Sequence, residues 1–143
     1  MTRYVVDASV AIKWFIPEPL SDAAGRLRQP GLRLSVPAFF WLEIGSVLVK
    51  KIRRGELTRE EGDFVLKELR HLPLQRHADE RLFRSAYTLA LQTQRSLYDC
   101  LYLALAEVIE GRMVTADRKF YSALANEERG RRLLWIEDLP QAT

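Results

Sequence analysis

The stretch that most constrains this chain is its opening, Tyr4-Val5-Val6-Asp7-Ala8-Ser9-Val10. Tyr4, Val5 and Val6 favour β structure and run consecutively instead of alternating with polar residues, the pattern of a strand buried on both faces of a parallel sheet. Asp7 falls where such a strand ends, and Ser9 is placed to cap a helix beginning at Val10. Ligands of open α/β sheets sit beyond the carboxyl ends of the strands, so Asp7 is positioned for chemistry. The competing assignment is an aspartate that only caps the following turn or helix.

The remaining pattern extends this strand into an alternating α/β chain. Further strands are expected at Leu32–Val36, Leu72–Leu74, Met113–Thr115 and Leu133–Ile136. Pro73 confines the third of these five strands to a sheet edge or a strand start. Helices are expected at Val10–Ile16, Pro19–Leu27, Pro37–Arg54, Thr58–His71, Asp79–Gln94, Ser96–Ile109 and from Asp117 to about Asn126, with a loop from Asn126 to Arg132. Thr58-Arg59-Glu60-Glu61 has capping-box spacing. The Ser96–Ile109 helix is apolar nearly all round, so it must be enclosed by its own fold or by a partner. Together these elements predict a three-layer α/β domain with a mostly parallel central sheet flanked by helices.

Several classes of function are excluded or disfavoured. The 143 residues suffice for one domain with a full core, spanning 1–143. The longest apolar runs are broken by Asp, Glu or Lys, so no transmembrane helix is expected. Met1-Thr2-Arg3 leads directly into the first strand, so no signal peptide is expected either. Cys100 is the only cysteine, which rules out an internal disulfide and fits a reducing cytoplasm. In an apolar helix it reads as core packing, not as a nucleophile. With only His71 and His77 beside it, a structural zinc site is disfavoured.

Three more acids stand in settings like that of Asp7. Glu43 lies in the long helix, where its neighbours at three and four residues, Phe39, Phe40, Ser46 and Val47, include no base. Asp99 belongs to the apolar helix; Ser96-Leu97-Tyr98-Asp99 also matches a capping box with Asp for Glu, and both roles can coexist. Asp117 follows the strand Met113–Thr115 as Asp7 follows the first strand, with a helix cap as the alternative. Four acids in one small site require raised pKa values or a cation. Oxygen-only ligands suit Mg²⁺ or Mn²⁺. Thr115 and Ser9 could hold a water or orient a carboxylate, or serve as turn and cap hydroxyls. Asp138 could add a ligand, though a surface role fits it better.

Taken in order, Val5-Val6-Asp7-Ala8-Ser9-Val10, helical Glu43, Leu97-Tyr98-Asp99 and Thr115-Ala116-Asp117-Arg118-Lys119-Phe120 resemble the PIN-domain ribonucleases, above all the VapC toxins of toxin–antitoxin pairs. The resemblance runs from Tyr4 to about Ile136. It implies that Asp7, Glu43, Asp99 and Asp117 are the metal-binding catalytic set, with Thr115 and Ser9 supporting them. It implies a Mg²⁺- or Mn²⁺-dependent endoribonuclease leaving 5′-phosphate and 3′-hydroxyl ends. It further implies a VapB-type antitoxin whose C-terminal segment covers the active-site groove, against apolar anchors such as Trp14, Phe15, Leu20, Phe39, Phe40 and Trp41. A homodimer is expected, with the Leu97–Ile109 helix or its neighbours supplying contacts, and DNA binding is expected of the antitoxin, not of this chain.

The charge balance agrees with an RNA substrate. Withdrawing four of 19 acids into one site leaves 22 Lys and Arg residues against 15 acids on the remaining surface. Arg118 and Lys119 adjoin Asp117 and are the preferred phosphate contacts; Lys50-Lys51 with Arg53-Arg54 is a further basic cluster, and Arg129-Arg131-Arg132 reads as a solvated face. A haloacid-dehalogenase-type phosphatase would need an acid at position 9, where the chain has Ser9. A receiver domain would need an acid pair near the first strand. The serious alternative is a catalytically inactive PIN-like module that binds RNA or protein.

Overall fold

The computed structural model describes residues 2–141. Its strands are β1 (Thr2–Val6), β2 (Leu32–Pro37), β3 (Leu74–His77), β4 (Arg112–Thr115) and β5 (Leu133–Trp135). Its helices are α1 (Ala8–Ile12), α2 (Ser21–Gly25), α3 (Phe40–Arg53), α4 (Arg59–Arg70), α5 (Asp79–Thr93), α6 (Leu97–Val108) and α7 (Arg118–Leu124). The strands form one sheet in the order β3-β2-β1-β4-β5, and every pairing is parallel. Helices flank the sheet, as the unalternating apolar strands require. The strand order turns at β1, which has β2 on one side and β4 on the other. That switch point opens a crevice beyond the carboxyl ends of β1 and β4, the ends occupied by Asp7 and Thr115-Ala116-Asp117.

α6 packs across β1, β2 and β4, and Leu101 through Ala106 are buried without interruption. The apolar helix is therefore enclosed by its own fold, and only Tyr98 and Val108 remain as exposed large apolar residues on it. Its enclosure leaves α6 little apolar surface to offer a second copy, whereas its neighbour α5 carries the exposed Phe83, Tyr87 and Leu91. Cys100 is buried inside α6, as its apolar setting implies. No helix among the described residues is long and apolar enough to cross a membrane.

Several boundaries differ from the sequence reading. Asp7, not Ser9, is the N-cap of α1: its carboxylate accepts the Val10 N–H at 2.9 Å, while Ser9 lies inside the first turn. α1 stops at Ile12 and the chain continues to Ile16 in turns. β3 begins after Pro73 and runs to His77 at the sheet edge, where a preceding proline removes no ladder bond. α3 starts at Phe40, because Pro37 is still paired in β2 opposite His77. The loop before β5 contains a 3-10 turn over Glu128–Arg132. The Thr58–Glu61 capping box forms in full.

Gly111 links α6 to β4 at a point of close backbone approach. A Cβ there would lie 2.6 Å from the Arg3 carbonyl oxygen, so only glycine lets β4 enter beside β1 at this register.

Candidate metal centre

Four elements each deliver one acid to the crevice. Asp7 leaves β1 and caps α1. Its Oδ1 accepts the Val10 N–H at 2.9 Å and the Ser9 hydroxyl at 2.8 Å, so both bonds fall on one oxygen. Glu43 is in the first turn of α3, and its Oε1 accepts the Tyr102 hydroxyl at 2.6 Å. Asp99 is in the first turn of α6, where its N–H donates to the Ser96 hydroxyl at 3.0 Å. The reciprocal half of that capping box is not made, so the Asp99 carboxylate stays free to face the crevice. Asp117 caps α7 through Oδ1 to the Phe120 N–H at 3.1 Å, and its own N–H donates to the buried Thr115 hydroxyl oxygen at 3.0 Å.

All four acids, with Ser9, Tyr102 and Thr115, line one cavity of about 210 Å³. Val47, Met113 and Phe120 form its apolar walls. Capping fixes Asp7 and Asp117 by one oxygen each, and both still line the cavity. Tyr102 is the member that sequence reasoning missed as a partner. Its signal was its place three residues after Asp99, on the same helix face and in an otherwise apolar segment.

Burial first, and repulsion between neighbouring acids second, raise Asp7, Glu43 and Asp99. Burial pushes Asp7 up to about 6 from an ordinary 3.8, against the pull of the Val10 N–H and the Ser9 hydroxyl, and repulsion from Glu43 and Asp99 adds to the rise. Asp7 keeps a partly exposed edge on the cavity, although protein surrounds it closely. Burial also raises Glu43, opposed by the Tyr102 hydroxyl and reinforced by Asp99. Asp99 is raised by burial first, drawn back by the Ser96 hydroxyl, raised again by Asp117 and slightly lowered by Arg95. The Tyr102 hydroxyl is pushed far up by burial and by Glu43, so it stays protonated and donates. Among the described residues, no base forms an ion pair with any of the four acids.

An oxygen-only donor set that includes the raised carboxyls of Asp7, Glu43 and Asp99 fits a hard divalent cation such as Mg²⁺ or Mn²⁺. As the side chains stand, no three of them among the described residues close into a metal-holding group.

The other expected residues divide. Arg118 lies with its guanidinium 3.8 Å from the Trp135 ring centre, which fixes it beside Asp117. Lys119 is exposed on the next position. Asp138 is exposed and does not line the cavity. Arg129 and Arg131 pair with Glu127 and Glu128 at 3.4 and 3.1 Å, around a wider hollow of about 640 Å³ that is internally neutralised. Phe39 and Phe40 are buried in the core, which removes them as partner anchors.

Residues 4–124 match the PIN domain family. The chain is 34% identical over 119 residues to ribonuclease VapC3 of Pyrobaculum aerophilum, covering 82% of this chain and 91% of that protein. It is 34% identical over 121 residues to ribonuclease VapC3 of Mycobacterium tuberculosis, covering 85% and 87%. Among solved structures, the fold is shared with VapBC2 from Rickettsia felis bound to a promoter DNA fragment, with TM-score 0.62, 13% identity, and 86% and 94% of the two chains covered. A toxin–antitoxin complex from Klebsiella pneumoniae superposes with TM-score 0.60 at 15% identity, covering 93% and 97%. At such identities the structures establish a common fold.

Proposed function

We propose, from the premise that this chain belongs to the PIN-domain family and groups with its VapC ribonucleases, that it is a Mg²⁺- or Mn²⁺-dependent endoribonuclease and the toxin of a VapBC-type pair. The observation that carries the reading is the meeting of Asp7, Glu43, Asp99 and Asp117, drawn from four elements, in one cavity whose lining contains no base. An inactive RNA- or protein-binding module would not need four acids held together at this electrostatic cost.

In this reading Asp7, Glu43, Asp99 and Asp117 hold the cation. When bound, it supplies Lewis acidity, activating water and offsetting charge on the phosphodiester. Ser9 fixes one Asp7 oxygen and leaves the other to the cavity. Tyr102 holds Glu43 in place from within the core. Thr115 is buried at the cavity floor and fixes the backbone at Asp117. Arg118, braced on Trp135, and Lys119 supply cations for the RNA backbone at the rim. The expected products carry 5′-phosphate and 3′-hydroxyl ends.

A VapB-type antitoxin is the expected partner, and the whole pair is placed in the cytoplasm. The exposed Leu42 and the half-buried Trp14, Phe15, Leu20 and Trp41 are the apolar surface it would cover. A hollow of about 310 Å³ between the Phe15–Pro17 turn and α4, lined by Leu57, Phe64 and Val65, continues that surface. Homodimerisation through the exposed Phe83, Tyr87 and Leu91 of α5 belongs to the same reading, and promoter DNA contacts fall to the antitoxin.

The test is cleavage of matched single-stranded and structured RNA and DNA by the purified protein in Mg²⁺ or Mn²⁺. RNA is expected to be cut and DNA spared, with no cutting in excess chelator. Cleavage that persists in chelator contradicts the reading.

A further inference from the structure

A second polar cavity, of about 310 Å³, opens away from the acidic centre on the β1–β2–β3 part of the sheet. Arg3 and Arg33 are register partners on β1 and β2; Ser35 and Gln75 are partners on β2 and β3. Two-residue alternation puts these four and His77 on one face, where they line the cavity with Val108, Ile109 and Glu110 from the end of α6. The face of a parallel sheet is ordinarily apolar and covered. Here it carries two guanidinium groups, an amide, a hydroxyl and an imidazole.

Three observations point to a missing anion. Like charges directly across neighbouring strands repel, yet neither arginine makes an ion pair among the described residues. One Arg3 Nη donates to the Ile109 carbonyl at 3.2 Å, which orients that guanidinium and leaves its other N–H groups available. Glu110 is the only acid on the lining, one carboxylate against two guanidinium groups.

We propose that the cavity lined by Arg3, Arg33, Gln75 and His77 binds a phosphate group. A tetrahedral oxyanion can accept from both forked guanidinium groups and from the Gln75 amide. The phosphate can belong to a small molecule or to a nucleic-acid backbone; the recognition chemistry is the same. The site stands independently of the nuclease reading.

The experiment is a titration of the full chain in chelator, where the acidic centre repels anions, with inorganic phosphate against chloride of equal ionic strength, followed by NMR shifts and thermal melting. The wild type is expected to show a saturable response. Arg33→Ala and Arg3→Ala should each weaken binding by about tenfold, and Glu110→Gln should tighten it by about threefold. Lys67→Ala, at an exposed α4 position away from this cavity, should bind as the wild type does. Parallel arms with a ribonucleoside 5′-monophosphate and a short RNA identify the source: displacement of phosphate by the RNA assigns a backbone site, and displacement by the mononucleotide alone assigns a small ligand. No saturable response in the wild type, or an unchanged response in folded Arg3→Ala/Arg33→Ala, overturns the proposal.

Discussion

Replacing Asp7 with asparagine is expected to abolish RNA cleavage and leave the protein folded and at least as stable. Asparagine caps a helix about as well as aspartate, so the bond to the Val10 N–H survives. What disappears is a charge that burial and two neighbouring acids disfavour. A residue retained for the fold would cost stability on replacement; one retained for catalysis releases it. The rate should fall by on the order of 1,000-fold, the scale of losing a dominant electrostatic group in an active site. Cleavage rates and urea midpoints measured on the same preparations check both halves. An Asp7→Asn protein that cuts RNA like the wild type removes Asp7 from the mechanism.

In chelator, the wild type is expected to lose stability relative to Asp7→Asn as pH rises from about 4 to about 6. The Asp7 carboxyl titrates at about 6 in the folded protein against 3.8 ordinarily, so within this window the folded state binds more protons than the unfolded state. Stability therefore falls with rising pH and levels off above the folded value. The shift corresponds to at most about 3 kcal/mol, reduced because the Asp7 edge meets water. Glu43 and Asp99 are displaced in the same direction. Glu18, bound by Lys13 and Lys51 and lowered below its ordinary value, works the other way: its stabilisation is lost as pH falls. Comparing wild type with Asp7→Asn cancels that contribution. A wild type that gains stability over Asp7→Asn through this window contradicts the electrostatic account.

Much of this was legible in the sequence because burial leaves a direct imprint on residue type. The unalternating Tyr4-Val5-Val6 run became the central strand, and the all-round apolar helix became α6 beneath it. The four acids stood out because each broke an apolar context that offers an isolated carboxylate no counter-charge. Less legible were features decided by contacts between distant segments. The Tyr102–Glu43 bond joins residues 59 positions apart. The switch of the cap from Ser9 to Asp7 depends on where β1 releases the chain, a boundary that propensity places only loosely. The enclosure of α6 follows from layering and not from the helix's own composition. The basic face around Arg3 and Arg33 exists only once β1 and β2 are set in register.

The central claim, that acids from four elements jointly capture a divalent ion, is tested most directly by calorimetric titration of Mn²⁺ into the wild type and Asp99→Asn at pH 7.5. The account predicts saturable binding by the wild type, and binding weakened by about tenfold or more in Asp99→Asn. Absence of binding by the folded wild type, or equal binding by both proteins, would contradict it.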